Sequence, residues 1–104
     1  MVKVNEKELK EIFNEIKNYN NSAFEKLYNK YNTLVYGIAF SILKNKQDAE
    51  DVVQTVFAKI YDIDTDKLPT QKEASWLYTI TKNESITLLR KRDNIFKNIS
   101  KFII

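Results

Sequence analysis

The chain has 104 residues, 12.3 kDa, enough for one domain around a single core. It holds one Gly and one Pro, where average usage gives about seven and five, so the residues that build hairpins and bulges are missing. A sandwich or barrel is excluded and an all-α bundle of about four helices is predicted. No Cys and no His exclude disulfides, thiolate chemistry, Ser–His hydrolysis and imidazole metal sites. Carboxylate-only catalysis or carboxylate metal binding survives in principle, but no motif in the chain supports it, so a non-enzyme with no cofactor and no metal is the expectation.

Residues Met1 to Glu6 contain no apolar h-region, so no signal peptide is expected. The longest uncharged run, Tyr31 to Leu43, has 13 residues, and a spanning helix needs about 20. A soluble, cytoplasmic protein with no membrane partner is the expectation.

In chain order, the first helix is predicted from about Glu6 to Tyr19. Asn5 is its N-cap, paired with Glu8 in a capping-box spacing. Leu9, Ile12, Phe13 and Ile16 form its apolar stripe. After Asn20-Asn21, the box Ser22-x-x-Glu25 opens a second helix reaching about Leu43. Its apolar face, from Phe24, Leu27, Tyr28 and Tyr31 to Ile42 and Leu43, is wide enough for a central helix contacted on more than one side. Gly37 lies inside it. A close helix crossing is the expected reason, since Gly costs about 1 kcal/mol against Ala there.

Asp48 is read as the cap of a third helix, with Ala49, Val53, Val56, Phe57 and Ile60 on one face. Residues Asp62 to Pro69 then form a loop. Its Asp62-x-Asp64-x-Asp66 run lacks the Gly and the final Glu in register that a calcium loop requires. Thr70-x-x-Glu73 is read as the cap of a fourth helix through Trp76, Leu77, Ile80 and Leu88 to about Arg92. The tail, Asp93 to Ile104, either extends that helix or frays.

The net charge of +3 is a weak sign by itself, but it resolves into blocks. Residues 1–47 carry 8 basic and 5 acidic groups, residues 48–73 carry 3 and 7, and residues 74–104 carry 6 and 2. An acidic middle and a basic end suit two partners or one composite partner.

The fourth helix carries the sharpest pattern. At 100° per residue, Leu77, Ile80 and Leu88 fall on a core face. Trp76, Thr79, Asn83, Thr87 and Arg90 fall on a second stripe, followed by Lys91 and Arg92. Arg and Lys bind phosphates, Asn and Thr bond phosphates or base edges, and Trp offers a stacking surface. The alternative is that Trp76 belongs to the core and that Arg90-Lys91-Arg92 complements the helix dipole. The third helix has a polar, partly acidic face with Asp51, Gln54 and Thr55. That face either docks on a basic protein surface or is simply solvated.

Three strings then carry a resemblance: Phe24-Glu25-Lys26-Leu27-Tyr28, Asp48-Ala49-Glu50-Asp51-Val52-Val53-Gln54-Thr55-Val56-Phe57, and Trp76-Leu77-Tyr78-Thr79-Ile80-Thr81-Lys82-Asn83 with Leu89-Arg90-Lys91-Arg92. Over about Ser22 to Asp93 the chain resembles region 2 of the sigma-70 family, closest to the extracytoplasmic-function (ECF) subfamily. The resemblance implies one helical domain, here residues 1–104. It implies docking of the third helix, through Asp48, Asp51, Gln54 and Thr55, on the clamp helices of the largest subunit of RNA polymerase core. It implies that the loop Asp62 to Glu73 and the fourth helix take the non-template strand of the promoter minus-10 element and capture a flipped base. Lys67, Trp76, Thr79, Asn83, Thr87, Arg90, Lys91 and Arg92 would then contact DNA. An anti-sigma factor is a further implied partner.

Thr55 stands where the family often has an acidic residue, and Thr87 where it often has Asp or Asn. Only 12 residues follow Arg92, so the helix-turn-helix of region 4 is expected to lie outside this chain. The chain is read as a segment of a longer protein or a naturally short factor. The competing function is a sigma-like interaction module that works with a partner or is sequestered by an anti-sigma factor.

Overall fold

The computed structural model describes residues 4–103. The described residues form four helices and one short 3-10 turn: α1 (Glu6–Lys17), α2 (Ala23–Leu43), α3 (Lys46–Asp62), the turn Thr65–Lys67, and α4 (Glu73–Ile103). The all-α expectation holds, and α2 is the central element, packed by α1, α3 and α4. Much of its wide apolar face has that cause, though Phe40 of α2 stays exposed.

The start of α1 follows the sequence pattern: the Asn5 side chain accepts the Glu8 amide at 3.0 Å. Leu9, Ile12 and Phe13 are buried. The helix stops at Lys17, two residues before the expected end, because Tyr19 adopts a left-handed φ of 60°. Lys30 meets Glu8 at 3.0 Å and Lys26 meets Glu15 at 3.2 Å, joining α1 to α2. The hydrogen bond from Lys30 holds the Glu8 carboxyl below the ordinary carboxylate range.

Three expected side-chain caps do not form. Ser22 makes no cap bond to α2; its Oγ donates to Asn20 Oδ1 at 2.9 Å, so a local Asn turn takes the place of the capping box. Asn45, not Asp48, caps α3, accepting the Asp48 amide at 2.8 Å. A cap residue must precede the first helical turn, and α3 already begins at Lys46. Thr70 does not cap α4, which begins at Glu73 after Lys72 in a left-handed φ of 55°.

Gly37 has no crossing partner. A Cβ built there meets nothing within 4 Å. With no packing reason for the glycine, Gly37→Ala is expected to raise stability by roughly 0.5–1 kcal/mol in urea unfolding. An unchanged or lower midpoint would mean that the Cβ is not accommodated.

The core joins Leu27, Tyr31, Val35 and Ala39 of α2 with Val52, Val53, Val56, Phe57 and Ile60 of α3 and Leu77 of α4. On α4 the buried face also contains Thr81 and Ser85, both fully inaccessible. Their hydroxyls donate to the carbonyls of Leu77 and Thr81, each at 2.8 Å, so they behave as small self-satisfied residues. Ile80 and Leu88 are only half-buried. Beyond Arg92, α4 continues as helix rather than fraying, with Ile95, Phe96 and Ile99 exposed.

Candidate functional site

On α4 the side chains of Thr79, Asn83, Thr87 and Arg90 are exposed along one row, with Lys91 exposed beside them. The Thr87 hydroxyl donates to the Asn83 carbonyl at 2.9 Å. Trp76 departs from the expected stripe. It is half-buried and meets Phe13 of α1 edge-to-face, with centroids 5.7 Å apart and planes at 85°. The indole therefore belongs partly to the core, and the exposed row begins at Thr79.

Arg92 departs as well. Its guanidinium pairs with Asp48 at 2.5 Å, linking α4 to the first turn of α3. The sequence assigns these two residues to different partners, and the fold places them on each other. Lys59 and Glu84 form a second α3–α4 ion pair. Lys67 is exposed on the 3-10 turn, with Asp64 3.8 Å away.

On α3, Asp51, Gln54 and Thr55 are exposed, but they face two regions. Asp51 and Thr55 line a small cavity of about 150 Å³ together with Thr87 and Lys91 of α4. The acidic and basic surfaces thus share an edge instead of standing apart. Gln54 faces α2. It lines two grooves there, of about 400 and 330 Å³, and Tyr28 lines both as well.

Aromatic residues floor this α2–α3 face. Phe57 lies 4.9 Å from Tyr28 and 6.3 Å from Phe24, and Phe24 lies 5.2 Å from the exposed Tyr61, all edge-to-face. Farther along α2, Tyr36 and Phe40 stack at 5.9 Å, and Phe40 is exposed. Sequence reasoning assigned none of these to a site. The available signal was the excess width of the α2 apolar face, which is more than its helix neighbours cover.

The segment between α3 and α4 is held from outside. Leu68 is buried and anchors it to the core. The Lys10 ammonium donates to the Thr70 carbonyl and the Lys17 ammonium to the Pro69 carbonyl, both at 2.7 Å. Glu73, itself buried, receives Lys10 at 3.4 Å. Among the described residues no group of three or more Asp, Glu, His or Cys is gathered to hold a metal ion, and no helix is long and apolar enough to cross a membrane.

The model of sigma-70 region 2 matches residues 27–95, which include α3, the held segment and the exposed row of α4. The chain belongs to the sigma-70 region 2 family. It is similar to the ECF RNA polymerase sigma factor SigW of Bacillus subtilis (strain 168), 30% identical over 85 residues, 81% of this chain and 45% of that protein. A second relative, the ECF RNA polymerase sigma factor SigX of the same organism, is 28% identical over 77 residues, 74% of this chain and 40% of that protein. The chain thus spans less than half the length of these relatives. No solved structure matches it significantly. The family is non-enzymatic, and α1 lies wholly outside the matched range.

Proposed function

We propose that this sigma-70 region 2 domain acts in transcription initiation by bridging RNA polymerase core and promoter DNA. The supporting observation is the division of its surface into two chemistries. The α2–α3 face is an open groove with an aromatic floor and Gln54 at its middle, the type of surface that a protein partner's helix fills. The α4 face is a row of amide, hydroxyl and guanidinium groups directly after the held segment, suited to a displaced single strand.

In this reading Gln54 and the aromatics around it meet the clamp helices of the largest polymerase subunit, with Asp51 and Thr55 on the rim. Asn83 and Thr79 bond a base of the non-template minus-10 strand, and Arg90 and Lys91 hold its phosphates. Thr87 lies beside that path. Trp76 supports the segment and offers only its uncovered ring surface. Asp48 and Arg92 fix α3 against α4 instead of touching a partner, and Lys67 stands at the entry turn.

A fluorescently labelled single strand, selected from a randomised DNA pool by the domain together with RNA polymerase core, tests the reading. Asn83→Ala is expected to weaken its binding by about tenfold or more, since a bond to a base edge contributes roughly 1–3 kcal/mol. Helicity and core binding should not change. Enrichment of no strand, with core still bound, would refute the DNA role and leave the interaction-module reading, in which an anti-sigma factor or another partner occupies the groove.

A further inference from the structure

We propose that Lys10 and Lys17 of α1 are positioning residues that set the shape of the DNA-facing segment between α3 and α4; this rests on the function proposed above. The segment has little structure of its own. Its internal backbone bonds are those of one turn, from the Lys67 amide to Asp64 and from the Leu68 amide to Thr65. Between Leu68 and the start of α4 the path is irregular and includes Lys72 at a left-handed φ, a conformation that disfavours any side chain.

Such a backbone persists only where its surroundings over-determine it, and α1 supplies the ties. The Lys17 ammonium takes the Pro69 carbonyl and the Lys10 ammonium takes the Thr70 carbonyl. Lys10 also reaches the Glu73 carboxylate, so its two acceptors bracket the left-handed Lys72 on either side. Charge-assisted bonds at 2.7 Å are short and strong of their kind. Farther along, Phe13 meets Trp76 and the Tyr19 hydroxyl lies 3.4 Å from that of Thr65. Apart from the burial of Leu68, each of these ties joins α1 or the turn after it to the segment or to the first turn of α4. A helix outside the family match thus templates the part of the family fold that faces DNA.

Lys17 gives the cleaner variant, because its loss frees only a backbone carbonyl, whereas loss of Lys10 leaves the buried Glu73 carboxylate alone. For Lys17→Met, amide hydrogen exchange at Lys67 and Leu68 is expected to speed up by about tenfold. Affinity for the selected strand on core is expected to fall by a similar factor, with core affinity and helicity unchanged. Lys17→Arg, which keeps a donor of similar reach, should restore both. Unchanged exchange would overturn the proposal whatever the DNA result. Faster exchange with unchanged strand affinity would overturn the positioning role and leave the DNA-binding function standing. If the parental domain bound no strand at all, both the function and this inference would fall.

Discussion

Phe13→Ala is expected to cost about 3–5 kcal/mol, a large share of the stability of a domain this size. Phe13 is completely inaccessible and is among the largest side chains in the core. It lies on a helix of only 12 residues that would not persist alone in water, so α1 depends on this burial to stay folded. The ring also meets Trp76 edge-to-face, a contact worth roughly 0.5–1.5 kcal/mol beyond its buried area. Removing it leaves a cavity between α1, α2 and α4 that a polar partner cannot fill. Urea unfolding followed by the emission of Trp76, the only tryptophan, measures the loss at the contact itself. Phe13→Leu keeps most of the volume and should lose far less. A cost below about 1 kcal/mol for the alanine variant would show that α1 is a peripheral strap instead of part of the core.

The fold was largely legible because its signals are local and redundant. Apart from the end of α4, which runs on past Arg92 to Ile103, helix boundaries followed caps and periodicity to within a few residues, and the buried residues of α1 and α3 lie where the 3.6-residue period puts them. Three things escaped. Cap identity failed at Ser22, Asp48 and Thr70: Asn20 and Asn45 take the amides near the first two, and α4 begins only at Glu73, beyond the reach of a Thr70 cap. Thr81 and Ser85 were not assigned to the core face, although hydroxyls that bond their own helix pack as small apolar groups. Trp76 fell on a polar stripe by angle, but its long side chain reaches back along α4 to Phe13. Of the site, the α4 row from Thr79 to Lys91 was readable as composition on a helical face. The Asp48–Arg92 pair and the α1 lysines were not, since they join residues 44 and more than 50 positions apart and no periodicity records such distances.

Gln54→Arg is expected to reduce capture of RNA polymerase core by about 30-fold or more, the range of a central interface residue. Gln54 is the one polar α3 side chain shared by both aromatic grooves on the α2–α3 face. A partner helix seated there would desolvate it. An arginine in its place would bring a larger, charged group into grooves lined by one acidic residue each, Glu50 in one and Asp62 in the other. Its position is exposed in the free domain, so folding should not suffer: surface changes usually stay within about 0.5 kcal/mol. Asp51→Arg serves as the comparison. It reverses a charge on the opposite flank of α3, beside Lys91, and should weaken capture by less than Gln54→Arg because the residue lies at the edge of the proposed interface. Core pull-down titrated with each variant separates the two positions. Equal and full retention by both would remove α3 from the interface. A larger loss for Asp51→Arg would move the partner from the aromatic groove to the α3–α4 edge, where protein and DNA would then compete for the same ground.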